Sequence, residues 1–383
     1  MSLSKFENVK ITGLLTVIPE HHINISDELE FYNGDPKKLA RHKKILGLGT
    51  RHVVSGGMTV CSMCEDASRL LIEQTNTDPS EIDTVIVASI NHDYNGNSSA
   101  CIIQGNLGLS EETACFDISG LVCTDVVYGL WLAHSLVQSG ASKKCLFLEG
   151  SVSSLIVDVR NRHSSMLFGD AAAAVLLERT TEPTPAYFHL KSIGSEWKKI
   201  VTPAGGFKFP IRKDIVDLEL TDPEGNIVHL WDSIMKGGDV FKFAIEQAPE
   251  TVQKLLDFAG ITRDDIDFFA IHQANGQIVR TVINHAQIPR EKASSETFTK
   301  YGNCGGTSVL VNFCDKMKDS FVGNVQLITF GVGLSVASCV LDLSRAYNGG
   351  VQLIKASPDL QTRQQLIEEW TEFLTKGTGE KNE

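Results

Sequence analysis

Two segments of the chain share one pattern, and this internal repeat limits the possible folds more than any other feature. The segment DPSEIDTVIVASIN is followed 184 residues later by TRDDIDFFAIHQAN, so that Asp83 matches Asp267. Each segment is preceded by an amphipathic helical pattern, SRLLIEQ in the first and VQKLLDF in the second. A later stretch, QLITFGVGLS, falls where a second copy of CLFLEGSVSS is expected. The chain therefore predicts two α/β halves that arose by duplication.

The order of the predicted elements gives the fold class and the division of the chain. Strands that alternate with helices are typical of mainly parallel sheets with helices between or over them. We place an N-terminal half at residues 1–180 and a C-terminal half at residues 236–345. Prolines and glycines interrupt every periodicity over residues 181–235, which predicts a connecting, lid-like region. Residues 346–383 are predicted to form a C-terminal helix and tail.

The composition excludes several classes of protein. The net charge of −12 argues against a general nucleic-acid binder, which needs a broad cationic surface. No apolar run reaches the roughly 18 residues of a membrane helix, and the N-terminus lacks the features of a signal peptide. Nine cysteines without the spacing of a disulfide framework indicate the reducing cytoplasm.

Cys123 is the first candidate for chemistry. The stretch ACFDISGLVCTDVVYGLWLAHSLVQSG predicts a short strand, a tight link at Gly120, and a helix that begins at Cys123 and ends at Gly140. At a helix start, unpaired N–H groups and the helix dipole favour the thiolate over the thiol. The alternative is that Cys123 is a small buried hydrophobe, as most free cysteines are.

Two further polar side chains fall at the ends of predicted strands in the second half. His272 ends the run IDFFAI, and Asn303 lies in the glycine-rich loop YGNCGGTS. If the halves are equivalent, the carboxyl ends of their strands face each other and bring these groups toward Cys123. Thiol, imidazole and amide together suit acyl transfer, in which a cysteine attacks a thioester and neutral donors stabilise an enolate oxygen.

The sequence contains one CxxC pair, at Cys61 and Cys64. No second pair and no histidine at ligand spacing follows it, and the surrounding residues form a plain amphipathic helix. We interpret the pair as packing residues and predict no metal site.

A basic cluster stands out in this acidic chain. Lys37, Lys38, Arg41, Lys43 and Lys44 fall within three helical turns. Such a run is usually a solvated helix face, and the alternative is a site for phosphate or an acidic partner.

Several motifs occur in an order that matches a known family. They are HQAN (272–275), KYGNCGGTS (300–308), FGDAAAAVLLE, GLGTRHV (47–53) and the Cys123 unit. In these motifs the chain resembles the thiolase superfamily, and specifically its β-ketoacyl-acyl-carrier-protein synthase III branch, which starts acyl chains. The resemblance covers roughly residues 6 to 342. It implies a five-layered αβαβα fold made of two duplicated halves, and a homodimer.

The resemblance implies roles for the three candidate residues. Cys123 corresponds to the nucleophile that takes an acyl group from coenzyme A or a carrier protein. His272 and Asn303 correspond to the pair that promotes decarboxylation of the malonyl donor and stabilises the enolate. The backbone N–H groups of Cys123 and Val332 correspond to the oxyanion hole. No cofactor is implied beyond the substrates, which are acyl-CoA or acyl carrier protein and a malonyl thioester.

Three further residues correspond to substrate-binding positions of the family. Arg162 corresponds to an arginine that stacks against the adenine of coenzyme A, and Phe330 to an aromatic residue beside the nucleophile. Asn275 corresponds to the last residue of the family's HQAN segment.

The chain departs from the family at several positions. Arg41 stands where a tryptophan often sandwiches the adenine, and Gln277 replaces an arginine thought to contact the carrier protein, although Arg280 lies one turn on. Gly96 stands where a bulky gate residue is common, which predicts a larger or differently shaped acyl pocket. Asp125 replaces a glycine two residues after the nucleophile, and an acid there opposes ionisation of the thiol unless it points away or is counterbalanced.

Three functions remain open. The first is a condensing enzyme in fatty-acid or secondary-metabolite biosynthesis, with acyl transfer to Cys123 followed by decarboxylative Claisen condensation. The second is an acyltransferase that passes the acyl group on without decarboxylation, for which Asn303 is less needed. The third is a non-catalytic subunit that shapes a partner's pocket, against which the intact set of cysteine, histidine and asparagine argues.

Overall fold

The computed structural model describes residues 2–32, 34–317 and 323–376. In these residues the chain forms seventeen strands and ten α-helices. The strands are β1 Leu3–Phe6, β2 Val9–Pro19, β3 His22–Asn24, β4 Thr50–His52, β5 Thr84–Ala88, β6 Ala114–Ile118, β7 Lys144–Ser151, β8 Ala171–Arg179, β9 Ala186–Ser192, β10 Ile200–Val201, β11 Leu220–Thr221, β12 Ile227–Val228, β13 Ile234–Met235, β14 Phe268–Ile271, β15 Asn324–Gly331, β16 Ser335–Asp342 and β17 Tyr347–Ile354. The helices are α1 Pro36–Leu46, α2 Val60–Thr75, α3 Ser99–Leu107, α4 Asp125–Ser139, α5 Lys213–Val216, α6 Gly237–Ala259, α7 Gly276–His285, α8 Thr297–Tyr301, α9 Ser308–Lys316 and α10 Arg363–Lys376.

Two large sheets repeat one arrangement of strands. The first has the order β17-β2-β8-β7-β5-β6 and the second the order β1-β9-β16-β15-β14. The run β2-β8-β7-β5 has two antiparallel pairings followed by a parallel one, and the run β9-β16-β15-β14 has the same three in the same order. This correspondence is the predicted duplication, seen in three dimensions.

The repeated aspartates have the same task in both sheets. The carboxylate of Asp83, just before β5, accepts a hydrogen bond from the N–H of Lys143 at 2.7 Å, where β7 begins. The carboxylate of Asp267, just before β14, accepts one from the N–H of Asn324 at 2.8 Å, where β15 begins. Each aspartate thus fixes the start of a parallel pair of strands, which explains why the motif occurs twice.

The sheets are mixed rather than mainly parallel, and this part of the prediction was wrong. In each half one strand returns antiparallel to the strand before it in the chain: β8 runs back along β7, and β16 along β15. Only residues 332–334 lie between β15 and β16, and a parallel connection requires a crossover of about a dozen residues or more.

Five layers follow from where the apolar residues are buried. Helices α4 and α9 pack between the two sheets in one core, to which both sheets contribute side chains. Helices α2 and α3 cover the outer face of the first sheet, and α6 and α7 cover the outer face of the second. The αβαβα order is the one implied by the resemblance. Cys61 and Cys64 are buried in the α2 layer, which confirms that they are packing residues.

Residues 181–235, predicted as a connecting region, include a strand of the second sheet. β9 lies in the sheet interior between β1 and β16. Its residues AYFHLKS follow Pro183 and Pro185, which hid its alternation. The rest of the region forms the short pairs β10–β13 and β11–β12. The domain boundaries themselves stay predictions.

The C-terminal segment has both a strand and a helix. β17 pairs in parallel with β2 at the edge of the first sheet, and α10 follows it. Residues 377–383, the end of the predicted tail, lie outside the described part. Among the described helices, none is both long enough and apolar enough to cross a membrane.

Candidate active site

One cavity of about 410 Å³ contains the three residues that the sequence analysis singled out. Cys123, His272 and Asn303 all line it, although they come from opposite halves of the chain. Each stands just after a strand or in a loop between elements, at the end of the sheets where the two halves meet. A larger surface groove, of about 530 Å³, lies near Phe268 and Arg290 and contains none of the three.

The turn before Cys123 has an unusual backbone. After β6, Gly120 has φ of +108° and Val122 has φ of +50°. A left-handed conformation is rare for a β-branched residue and persists only where the surroundings enforce it. The turn places Cys123 in a single 3₁₀ turn, Val122–Thr124, that runs directly into α4. The predicted helix start is therefore correct, with its first turn tighter than an α-helix.

The predicted preference of Cys123 for the thiolate form is not met in the structure. Burial raises the pKa of its thiol to about 12, and the charges of Asp125 and Glu149 act in the same direction. The backbone N–H groups of Val332 and of Cys123 itself hydrogen-bond to the sulfur and act against the increase in pKa. The helix start supplies the N–H groups as predicted, but desolvation of the sulfur outweighs them.

Gly331 allows the two halves to meet at the sulfur. A Cβ at Gly331 would lie 2.7 Å from Sγ of Cys123 and 2.8 Å from its Cβ, closer than real Cβ contacts. The hydroxyls of Thr124 and Ser335 lie 2.7 Å apart and join the nucleophile turn to β16. Val332 is thereby held with its N–H toward Cys123, as an oxyanion hole requires.

His272 follows β14 and is held by α9. Its Nδ1 lies 2.7 Å from Oγ of Ser308, and that hydroxyl also accepts a hydrogen bond from the N–H of Gln273 at 3.2 Å. Burial lowers the pKa of His272 to about 4, although a hydrogen bond to the backbone of Gly305 acts in the opposite direction. The imidazole is therefore neutral at physiological pH.

Asn303 has its orientation fixed by its own loop. Its Oδ1 accepts a hydrogen bond from the N–H of Gly305 at 3.1 Å, so that the Nδ2 hydrogens remain for a ligand. Its backbone N–H donates to the carbonyl of Leu167 at 2.7 Å. Gly169 makes this approach possible, since a Cβ there would lie 1.9 Å from the carbonyl oxygen of Tyr301.

Phe330 and Asn275 also line the cavity. The ring of Phe330 meets that of His272 edge-on, with centroids 5.3 Å apart. Asn275 caps α7 by accepting a hydrogen bond from the N–H of Ile278 at 2.9 Å. Both residues therefore lie at the cavity wall, and each also has a packing or capping task.

The cavity walls are apolar, and the sequence analysis missed most of the residues that form them. None of the described residues that line the cavity is Asp, Glu, Lys or Arg. The largest apolar side chains of the walls, beyond those already named, are Ile90, Ile156, Val157, Leu167, Phe168, Trp197, Ile200, Val201, Met235, Val240 and Ile278. Several come from the segment 197–235, where prolines and glycines hid any periodicity.

A polar network joins the two segments that cover the cavity. Asp158, beside the lining residue Val157, lies 3.0 Å from Nε2 of His229, and neighbouring Arg160 lowers the pKa of Asp158 to about 2. Asn161 donates to the carboxylate of Asp232 at 3.0 Å. These contacts fasten the loop after β7 to the segment before α6.

Arg162 belongs to this network rather than to the cavity lining. Its guanidinium donates to Oδ1 of Asn226 at 2.5 Å, to the carbonyl of Glu224 at 3.0 Å and to the carbonyl of Phe31 at 3.3 Å. With these bonds in place, its donors are directed at protein rather than at a nucleotide. Stacking on adenine would use only the face of the guanidinium.

Arg41 and Gly96 also lie outside the cavity lining. Arg41 is exposed on α1; burial lowers the pKa of His42, and the charges of Lys38, Arg162 and Arg41 act in the same direction. Gly96 has φ of +85°, and a Cβ there would meet nothing within 4 Å. Within this single chain, the absence of a side chain at Gly96 therefore does not enlarge the pocket.

The basic helix α1 lies near one side of the cavity. Arg280 of α7 donates to the carbonyl of Ile45 at 3.1 Å, and Gly47 approaches Gly276. Gly276 directly follows Asn275, which lines the cavity. The C-terminal end of α1 thus contacts α7, whose capping residue Asn275 lines the cavity.

Comparisons with known proteins agree with this geometry. Residues 116–194 match the family model "3-Oxoacyl-[acyl-carrier-protein (ACP)] synthase III", and residues 256–343 match the model of its C-terminal part. The chain is 31% identical over 351 residues to a putative 3-oxoacyl-[acyl-carrier-protein] synthase 3 of Campylobacter jejuni, covering 91% of this chain and 98% of the relative. The chain belongs to the 3-oxoacyl-[acyl-carrier-protein] synthase III family.

Other members of the synthase III family give the same result. A β-ketoacyl-[acyl-carrier-protein] synthase III of Campylobacter concisus is 33% identical over 302 residues, covering 78% of this chain and 86% of the relative. The crystal structure of a 3-oxoacyl-(acyl-carrier protein) synthase from Burkholderia xenovorans superposes with a TM-score of 0.84 at 25% identity, covering 92% of this chain and 99% of that one.

Membership fixes the general chemistry. The chain is a synthase III-type condensing enzyme, a transferase of the class that primes fatty-acid or polyketide chains. The family uses acyl-CoA and malonyl-acyl-carrier-protein substrates.

Proposed function

We propose that this synthase transfers an acyl group from a thioester to Cys123 and then condenses it with a malonyl thioester, with loss of carbon dioxide. The observation that carries the proposal is the meeting of Cys123, His272 and Asn303 in one apolar cavity. A condensing enzyme needs a nucleophile and two hydrogen-bond donors around one substrate.

In the first step, the sulfur of Cys123 attacks the thioester carbonyl carbon. A carbon–sulfur bond forms, and the tetrahedral oxygen receives hydrogen bonds from the N–H groups of Cys123 and Val332. These N–H groups hydrogen-bond to the sulfur of Cys123, which supports this role. The carrier then leaves as a thiol, and the proton it gains balances the one lost by Cys123.

In the second step, the bond between the malonyl carboxylate and its methylene breaks and carbon dioxide leaves. The electron pair forms an enolate whose oxygen is held by Nε2–H of His272 and Nδ2–H of Asn303. The hydroxyl of Ser308 accepts a hydrogen bond from Gln273 and can donate its own hydrogen to Nδ1 of His272. This assigns the proton of the neutral imidazole to Nε2. The enolate carbon attacks the acyl carbonyl carbon, the bond between that carbon and Sγ of Cys123 breaks, and the departing thiolate takes up a proton from solvent to regenerate the thiol.

Release of carbon dioxide tests this proposal against simple acyl transfer. With malonyl-acyl carrier protein and an acyl-CoA, the wild type is expected to release carbon dioxide, and Asn303→Ala to lose most of this activity while Cys123 is still acylated. Asn303→Asp, of similar size, lacks the amide donors and is expected to behave like alanine. Acyl transfer at full rate without any carbon dioxide would contradict condensation and favour the acyltransferase.

The cavity favours an uncharged, apolar acyl group. Its described lining has no Lys or Arg to pair with a carboxylate and no Asp or Glu to bind an amine. A charged acyl group would lose its hydration in this cavity without gaining an ion pair. Octanoyl-CoA is therefore expected to acylate Cys123 faster than succinyl-CoA, and the reverse order would remove this part of the proposal.

We also propose that the enzyme acts as a cytoplasmic homodimer on acyl-CoA or acyl carrier protein. β6 is an edge strand of the first sheet, with four of its five residues half-buried, and an edge of this kind is suited to pairing with a second copy. Light scattering after gel filtration is expected to give twice the chain mass of 41.9 kDa. A monomer at the single-chain mass would contradict the dimer but not the chemistry.

A further inference from the structure

Two buried carboxyl groups lie behind the nucleophile, outside the cavity lining. Asp125 is in the first turn of α4, and Glu149 is in the middle of β7. Their residues are 0% and 2% exposed, and neither lines the cavity. The proposed mechanism assigns neither residue a task. A buried carboxyl is costly unless it is paired or protonated, so its presence here needs a reason.

Asp125 holds the turn that carries the nucleophile. Its Oδ1 accepts a hydrogen bond from the N–H of Leu121 at 3.1 Å, and the carboxyl also binds the N–H of Val122. In the described part of the chain, its Oδ2 has no hydrogen-bond partner. The side chain of Asp125 is therefore buried and does not point into solvent. Its orientation does not remove the effect of an acid on the ionisation of Cys123.

Glu149 approaches the same turn from the sheet. A Cβ at Gly306 would lie 2.2 Å from Oε1 of Glu149 and 2.7 Å from the carbonyl oxygen of Val122. The glutamate, the nucleophile turn and the glycine loop of the second half thus meet at one point. Oε2 of Glu149 also has no hydrogen-bond partner among the described residues.

The charges of the two carboxyls affect each other and the sulfur. Burial raises the pKa of Asp125 to about 7, and burial together with the charge of Asp125 raises that of Glu149 well above its usual value. Both carboxyls oppose ionisation of Cys123. Two like charges in one dry site do not ionise together, so the pair titrates as a unit.

The other titratable groups around this site are neutral near pH 7. Across the cavity from the carboxyls, burial lowers the pKa of His272 to about 4. On α2, burial raises the pKa of Cys64 well above its usual value, and the charge of Glu149 adds to this. Within the described part of the chain, the largest influences on Asp125, Glu149 and Cys123 include no lysine or arginine.

We propose that Asp125 and Glu149 are positioning residues that form a carboxyl pair with at most one negative charge, and that this charge acts together with burial to keep Cys123 in its thiol form. A resting thiol resists alkylation and oxidation, because the thiolate is the reactive form. The proposal uses the proposed function only in taking Cys123 as the nucleophile.

The pH profile of alkylation tests this pair without any substrate. Cys123 is alkylated with iodoacetamide at a series of pH values and followed by peptide mass spectrometry. Asp125→Asn keeps the acceptor oxygen and removes the charge, and we expect the midpoint to fall by about one pH unit. Glu149→Gln is expected to lower the alkylation midpoint less, because Asp125 still carries the charge. The double variant should have the same midpoint as Asp125→Asn.

The control is Asp66→Asn, which removes a half-buried carboxyl from α2 that does not act on Cys123. It is expected to leave the midpoint unchanged. Midpoints unchanged in Asp125→Asn and in Glu149→Gln would overturn the proposal. If the alkylation midpoint shifts but no thioester acylates Cys123, the result supports the carboxyl pair and contradicts the proposed function.

A second measurement serves if Asp125→Asn does not fold. Infrared spectra of the wild type at pH 8 are expected to retain the C=O band of a protonated carboxyl, because the pair still holds a proton there. The band is expected to vanish in Glu149→Gln. Its absence from the wild type would overturn the proposal as well.

Discussion

The Cα of Gly331 lies so close to Cys123 that a methyl group there would come within 2.7 Å of the sulfur. The two residues belong to different halves of the chain, and their contact brings the N–H of Val332 to the nucleophile. The active site thus depends on a close approach of two backbones that only glycine permits.

Gly331→Ala is therefore expected to impair acylation. Either the sulfur or the backbone of Val332 must move, and loss of one oxyanion-hole donor costs about 2.7–4 kcal/mol. We expect the rate of acylation to fall by roughly 100-fold or more. Gly105→Ala, on α3, is the control, since a Cβ there meets nothing within 4 Å. Equal rates for both variants would show that the close contact is unimportant.

Buried histidines are expected to make the fold sensitive to acid. The pKa values of His272 and His134 are lowered to about 4 by burial, below the value of about 6.5 in the unfolded chain. The unfolded chain therefore binds more protons as the pH falls from 6.5 to 4. The stability that these residues contribute is complete above pH 6.5 and is lost toward pH 4, by up to about 3 kcal/mol each.

Urea unfolding at several pH values measures this effect. Nδ1 of His134 lies 2.7 Å from the carbonyl of Leu130, and His134→Gln keeps an N–H donor but does not titrate. The difference in unfolding free energy between wild type and variant should shift in favour of the variant as the pH is lowered. A difference that is constant with pH would show that His134 does not titrate in this range.

The contacts between the loop after β7 and the segment before α6 are expected to loosen when Asp158 is removed. Its partner His229 is buried, and leaving a buried polar group unpaired costs about 1–3 kcal/mol. Asp158→Ala should therefore be cut faster by protease within residues 153–168 and 197–235, as mapped by mass spectrometry. Lys213→Ala breaks only an exposed ion pair of the same region and should be cut like the wild type. Equal cutting of both variants would argue against these contacts holding the two segments together.

Helix α1 is expected to affect substrate capture rather than chemistry. Lys37 and Arg41 are exposed on α1, whose C-terminal end contacts α7, and a phosphopantetheine or a 3′-phosphate carries the opposite charge. Lys37→Glu with Arg41→Glu should raise KM without slowing single-turnover acylation. The control is the double variant Lys242→Glu with Lys254→Glu, which makes the same change of charge on α6. If both pairs raise KM equally, net charge rather than the site on α1 is responsible.

Much of the fold could be predicted because each copy of the repeat contains local patterns of apolar and capping residues that indicate its strands and helices. Asp83 and Asp267 precede strands whose apolar runs are continuous, and Gly140 ends α4 in the left-handed conformation, as expected. The mixed direction of the sheets and β9 were missed, since strand direction depends on connections that short propensity patterns do not encode. Among the described residues, those closest to the chemistry were found by their position at the ends of elements.

The environment of the site could not be predicted, because it depends on contacts between distant segments. The raised pKa of Cys123 comes from burial that the helix pattern does not reveal. Arg162 is engaged by backbone carbonyls of two other segments. Glu149 was overlooked, although an acid inside the apolar run CLFLEGS was a visible signal.

Intact-protein mass spectrometry tests the central account most directly. After incubation with octanoyl-CoA, the wild type is expected to gain one octanoyl group, and malonyl-acyl carrier protein is expected to remove it as carbon dioxide is released. Cys123→Ala should gain no mass, whereas Cys101→Ala, which removes an exposed cysteine, should behave like the wild type. Acylation that persists in Cys123→Ala, or an octanoyl group on Cys123 that malonyl-acyl carrier protein does not discharge, would contradict the account.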